Sequence, residues 1–251
     1  MIESVLVTGG GSGIGAALAL ELARRGRRVL VSGRRAEALA AVAVQSERIA
    51  TLAGDVTDSH HQSALAAALE ALPGPRAVFH GAGYFQTGFL DRLSSDDWQR
   101  SLAVNVEARW ALSCACAPAL EEDGGRVLFI GSDAGANPRV GGAAYSIAQS
   151  ASETLRRALQ AEWGGRERPI AVGAFKPGLV DTDMVRGFMA LPSEEFPARA
   201  VYGDYIAEGR LSAPELVAKF AAWLLLDVDH AAFTTAEWDI RDATHHHAWR
   251  S

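Results

Sequence analysis

Tyr145 and Gln149, in the stretch AAYSIAQS, stand four residues apart. On a helix that spacing puts both side chains on one face, able to act on the same bound molecule. A phenol donates a proton, with an ordinary pKa of about 10. An amide can hydrogen-bond but brings no charge. A second group of candidates lies near the N-terminus. There VLVTGGGSGIGAAL sets Gly9, Gly10, Gly11, Gly13 and Gly15 between an apolar run and a helix-like stretch. Glycines let a turn tighten and its backbone approach a pyrophosphate, and the following helix offers free N–H groups and a partial positive charge. A glycine turn between a first strand and a helix predicts dinucleotide binding. The next strand-like run ends in VSGRR. A carboxylate there would bond a ribose 2′-hydroxyl, but the residues are Gly33, Arg34 and Arg35. A guanidinium can grip a 2′-phosphate, so the pattern favours NADP(H) over NAD(H). Arg34 is the expected phosphate ligand and Arg35 is read as surface.

The elements that must position these residues alternate along the chain. Strand-like runs SVLVTG, RRVLVSG, RIATLAGDV, RAVFHGAG, GRVLFIGS and PIAVGAFKPG are separated by stretches of helical period, and AAFTTAEWDI reads as a last strand. Strands separated by helices imply parallel βαβ units, and near-continuous apolar strands imply a sheet covered on both sides. The expected fold is α/β, a single Rossmann-like doubly wound parallel sheet with helices on both faces. One domain over residues 1–251 is expected. The least regular stretch, about 183–212, contains Pro192, Pro197, Gly203 and Gly209 and reads as a substrate lid. Phe85, Phe89, Phe188, Met189, Phe196 and Tyr202 could wall an apolar pocket or simply pack a core.

Composition narrows the classes. The 251 residues are 49% hydrophobic and 22% charged, with a formal net charge of −6. That balance gives no general attraction to nucleic acid or anionic membrane. No apolar run reaches the roughly 20 residues of a membrane span, and the N-terminus lacks the pattern of a secretion signal, so a cytoplasmic protein is expected. Cys114 and Cys116 read as small packing residues. The run His245–His247 reads as a solvated tail, with a metal site as the alternative. No metal is expected.

The chain resembles the short-chain dehydrogenase/reductase family along essentially its whole length. Thr8, Gly9, Gly13 and Gly15 match T-G-x-x-x-G-x-G, and Asp55-Val56 match the adenine-side D-V pair. The N-N-A-G motif appears as His80, Gly81, Ala82, Gly83. Asn105 in VNVEA, Ser132 in FIGSDAG and Tyr145 match the active-site asparagine, serine and tyrosine. Pro177, Gly178, Val180 and Thr182 match P-G-x-V-x-T, and Thr182 would face the nicotinamide carboxamide. The late segment 208–225 and EWDIRD are similar to the branch holding sepiapterin and benzil reductases. The resemblance implies an NADP(H)-dependent oxidoreductase acting on a small-molecule ketone, aldehyde or alcohol. It implies a homodimer or homotetramer. The implied cofactor contacts are Gly9, Gly11, Ser12, Gly13, Ile14 and Gly15 in the turn. Arg34, Asp55, Val56, Gly81, Ala82 and Gly83 follow, and Tyr145, Gln149, Pro177, Gly178, Val180 and Thr182 complete the set. Tyr145 would be the general acid/base, Ser132 the carbonyl positioner, and Asn105 an organiser of water or backbone.

The family motif is Tyr-x-x-x-Lys, whose lysine holds the nicotinamide ribose and lowers the tyrosine's pKa. Here that lysine is Gln149. A unit charge about 5 Å away is worth roughly 3 kcal/mol at an effective dielectric of 20. Without it Tyr145 is expected to keep a pKa near 10 and the chemistry to slow. The alternative is a catalytically impaired, cofactor-binding relative acting as a sensor or assembly partner. Lys176, before Pro177, could supply the lost charge, or could bond a phosphate or stand in solvent. His80 could shuttle protons or serve structure.

Overall fold

A computed structural model describes residues 1–235 and 237–250. Six strands come first: β1 (Ser4–Thr8), β2 (Arg28–Gly33), β3 (Ile49–Ala53), β4 (Arg76–His80), β5 (Arg126–Ile130) and β6 (Ala171–Lys176). Two short strands, β7 (Leu179–Val180) and β8 (Leu211–Ser212), pair with each other, and β9 (Trp238–Asp239) completes the main sheet. That sheet has seven strands in the order β3-β2-β1-β4-β5-β6-β9, and every pairing is parallel.

Consecutive residues of β1 explain why both faces are covered. Val5 and Val7 belong to one buried cluster and Leu6 to the other, because side chains alternate across a strand. Helices α1 (Gly13–Arg24) and α2 (Ala36–Ala43) cover the first face, through Leu18, Leu22 and Leu39. Helices α3 (Ser59–Glu70), α5 (Ala108–Glu121) and α6 (Ala143–Gly164) cover the second, through Leu65, Leu112 and Leu159. Helix α4 (Ser95–Leu102) leads into α5 through a π-helical turn at Ala103–Glu107. Helices α7 (Asp183–Met189) and α8 (Arg199–Ala207) follow β7, and α9 (Pro214–Leu226) packs beside α1 on the first face.

The chain lays β2 and β3 on one side of β1, then crosses to β4 on the other. This reversal opens a crevice at the C-terminal ends of β1 and β4, where α/β sheets bind ligands.

Three expectations need correction. The stretch AAFTT is not strand: His230–Thr235 form helix α10, and only Trp238–Asp239 extend the sheet. Asp229 Oδ1 accepts from the Ala232 N–H (2.9 Å), and Phe233 is buried where Gly173 leaves room. Ala236, part of the expected strand, lies outside the described residues. Residues 183–212 are largely ordered into α7 and α8, because Phe188, Phe196 and Tyr202 stack together at 4.8–5.9 Å between centroids. The His245–His247 run is not a free tail. The His245 ring packs 4.9 Å from Trp238, His246 Nε2 bonds the Ile240 carbonyl, and Trp249 is buried against Phe220. Among the described residues no cluster of three or more metal-ligating side chains occurs. Of the two cysteines only Cys116 is buried, its thiol pushed up to about 12; Cys114 is exposed.

Candidate active site

A cavity of about 660 Å³ opens at the C-terminal edge of the sheet. One wall is the turn after β1. Gly9 has φ +69°, and a Cβ there would lie 2.7 Å from the Gly81 carbonyl carbon. Thr8 Oγ1 locks this approach, accepting from the N–H groups of Gly81 and Ala82, both at 3.1 Å. Only glycine at position 9 allows the first and fourth strand ends to close on each other while turning into α1. The arrangement is a backbone cradle at a helix N-terminus that a pyrophosphate fits. No side chain caps α1, since Ser12 makes no side-chain bond to its first turn. Arg34 and Asp55 line the far end of the cavity, and Asp55 Oδ1 is fixed by the Thr57 N–H (2.9 Å) and hydroxyl (2.8 Å).

All the residues expected to hold cofactor lie on this cavity, and so do Ser132 and Tyr145. Asn105 does not. It is fully buried in the π-helical turn, and both its amide atoms are spent on Tyr84: Oδ1 accepts from the Tyr84 N–H (3.0 Å), and Nδ2 donates to its carbonyl (2.7 Å). Of its two expected roles, the structure brings Asn105 to the backbone.

Ser132 follows β5, and its Oγ accepts from the Ala134 N–H (3.2 Å). Tyr145 stands in the first turn of α6, its ring 5.0 Å from that of Phe85. Ser132 and Gln149 line the cavity beside its phenol. Burial pushes the phenol above its ordinary value. The charge of Arg109 and the polar side chains of Ser132 and Gln149 pull it partly back, while Tyr202 adds to the rise. The expectation of a pKa near 10 is therefore corrected upward, because desolvation outweighs the donors.

Gln149 is 4% exposed, and its Oε1 is buried without a partner. An orphaned buried acceptor is costly, and a ribose hydroxyl is the kind of donor it lacks. The turn, the helix end and this acceptor together fit a dinucleotide.

Lys176 lines the cavity, but its charge is felt by Asp239 of the neighbouring strand. Burial works against that carboxylate, yet bonds from Arg241 and the charge of Lys176 hold it below its usual value. His80 is buried beside Phe129, its Nε2 2.8 Å from Ser113 Oγ. Burial, then the charge of Arg109, lower it to about 3. A ring kept neutral in this way serves structure, the second of its two readings.

Sequence reasoning missed Arg109, Tyr84 and Arg241. Arg241 Nη1 reaches Asp133 at 2.8 Å, tying the chain after β9 to the residue beside Ser132. Of the expected aromatic wall, Phe85, Phe188 and Tyr202 face the cavity, whereas Phe196 is fully buried behind them. Phe89 pairs with Arg92.

Known proteins resemble this chain over most of its length. The profile of the family described as short chain dehydrogenase matches residues 3–190. The chain is 36% identical over 242 residues to the 3-oxoacyl-[acyl-carrier-protein] reductase FabG of Pseudomonas aeruginosa, covering 92% of each chain. It is 34% identical to the galactitol 2-dehydrogenase (L-tagatose-forming) of Cereibacter sphaeroides, covering 91% of this chain and 89% of that one. A solved structure assigned to an NAD(P) dependent gluconate 5-dehydrogenase of Beutenbergia cavernae, with NADP bound at low occupancy, superposes with a TM-score of 0.79. It shares 29% identity and covers 95% of this chain and 94% of that one. The chain belongs to the short-chain dehydrogenase family, a family of NAD(P)-binding oxidoreductases.

Proposed function

We propose that the protein is an NADP(H)-dependent oxidoreductase that interconverts a ketone or aldehyde and an alcohol. The carrying observation is that the Tyr145 phenol and Ser132 share one cavity with the glycine turn. When bound, the nicotinamide supplies or accepts the hydride. Ser132 orients the carbonyl oxygen. Tyr145 gives that oxygen its proton in reduction and takes it back in oxidation. A phenol of raised pKa is a sufficient acid toward a forming alkoxide and a poor base at neutral pH. Reduction is thus the favoured direction near neutrality. Gln149 Oε1 receives a ribose hydroxyl, and Asn105 holds the Tyr84 backbone beside the site.

The preference for NADP(H) rests on Arg34 at the cavity's far end and on the absence of a carboxylate after Gly33. The test is NADPH consumption with a panel of small ketones and aldehydes. Turnover above the no-substrate rate supports the reading. Binding of NADPH with no turnover on any member would oppose it and favour an impaired, cofactor-binding relative.

We further propose that the chain is one domain, with α7 and α8 as its substrate lid. It assembles as a homodimer or homotetramer through the outer faces of α5 and α6, where Trp110 (54%) and Ile147 (40%) are exposed. A monomeric mass in light scattering would contradict the assembly.

A further inference from the structure

One buried charge in the cavity wall has no carboxylate to answer it. Arg109 is 4% exposed, in the first turn of α5, and lines the same cavity as Tyr145 and Gln149. Among the described residues no acidic side chain forms an ion pair with it. Its Nη1 donates to the Ile130 carbonyl (3.1 Å) and to Ser152 Oγ (2.8 Å), and its Nε is buried without a partner. Both bonds point at the chemistry. Ile130 lies two residues before Ser132. Ser152 lies on α6 with Gln149 and Tyr145, at the i, i+4, i+7 spacing that forms a single helix stripe.

A buried, unpaired guanidinium is among the most costly side chains to keep, and packing alone would be served as well by methionine. We propose that Arg109 is a positioning residue that replaces the missing lysine: its guanidinium supplies, from α5, the positive charge that the Tyr-x-x-x-Gln stripe of α6 does not carry. The arginine at 109 and the glutamine at 149 then explain each other. A cation at 109 makes a second cation at 149 repulsive, and the neutral amide of Gln149 can bond both phenol and ribose.

The charge survives its burial. Desolvation lowers the guanidinium to about 10, opposed by Tyr145, so it remains protonated at neutral pH. The other groups that face the phenol are Ser132, Gln149, Tyr202 from α8 and the Phe85 ring. The other titratable group that feels Arg109 is His80 of β4.

The inference rests on Tyr145 as the acid/base, yet its test needs no turnover. Trifluorotyrosine placed at position 145, whose phenol ionises near neutral pH, is titrated by fluorine NMR in the cofactor-free protein. Arg109→Met should raise its pKa, making the phenolate about ten- to a hundredfold scarcer at a given pH. Arg109→Lys should restore most of that loss, which a purely packing role would not. The exchange variant, Arg109→Met with Gln149→Lys, moves the cation to the other side of the phenol and should titrate close to the native protein. An unshifted titration in Arg109→Met would overturn the proposal. Should that variant not fold, the exchange variant decides. A phenol ionising about a hundredfold more readily than native would show that the native protein had no cation to lose. Normal shifts in a protein that reduces no carbonyl would leave the role of Arg109 standing and remove the proposed reaction.

Discussion

The two ends of the cavity keep the family pattern to different degrees. At the phosphate end every motif residue stands where the pattern has it: Thr8, Gly9, Gly13, Gly15 and the Asp55-Val56 pair. At the proton-transfer end Gln149 stands for lysine, and between the two ends His80 and Gly81 stand for two asparagines. The first end works through backbone. A Cβ on Gly9 would collide with Gly81, so the residue has no substitute. The second end works through charge and hydrogen-bond donors, which can come from another element. Arg109 brings a cation from α5. Geometry fixed by backbone leaves little freedom of residue type, whereas an electrostatic requirement can be met from a different position.

The sharpest way to break this contrast is at the rigid end. Gly9→Ala forces a side chain into left-handed backbone and onto Gly81. It is expected to cost roughly 3 kcal/mol of stability and to abolish measurable cofactor binding. Urea unfolding and a cofactor fluorescence titration check both. A variant that binds normally would show that the cradle is more elastic than described. Arg34→Ala is a smaller change at the same end. It should weaken NADPH by about ten- to a hundredfold, from the loss of a charge-assisted bond, and leave NADH nearly unchanged. Equal losses for both cofactors in calorimetric titration would remove the 2′-phosphate assignment.

The mildest effect is predicted at His80, between the two ends. Its ring is held neutral, with a folded pKa of about 3 against an ordinary 6.5. The folded state therefore binds fewer protons than the unfolded state between those values, and stability falls as pH drops from 6.5 toward 3. The slope from this residue reaches at most about 1.4 kcal/mol per pH unit. His80→Asn should flatten it while leaving cofactor binding intact. An unchanged pH dependence of unfolding would mean that His80 is not the titrating group.

Much of this was legible in the sequence. β1, β2, β4, β5 and β6 read correctly because strands covered on both faces are apolar at consecutive positions. The run AAFTT was misread for the same reason: a short apolar run cannot by itself be told from a buried helical turn. The order within 183–212 was invisible because Phe188, Phe196 and Tyr202 meet through long-range stacking, which no local period records. His245 docks on Trp223 and Trp238 by contacts of the same kind. Arg109 could have been found. Residues 109, 112, 116 and 120 form one buried stripe on α5, so helical period alone turns that arginine inward. A charge on the buried face of an apolar helix, one turn after Asn105, was the available signal.

Whether the phenol of Tyr145 carries the proton although its motif lacks the lysine is decided by comparing the native protein with Tyr145→Phe. NADPH affinity and the NADPH-dependent rate on a responsive carbonyl would be measured from about pH 6 to pH 9.5. Because burial holds the phenol above its ordinary value, the native reduction rate should stay flat across that range. Tyr145→Phe should still bind NADPH and lose about a hundredfold or more in rate. A variant that keeps the native rate, or a native profile that falls with an apparent pKa near 7, would contradict the account.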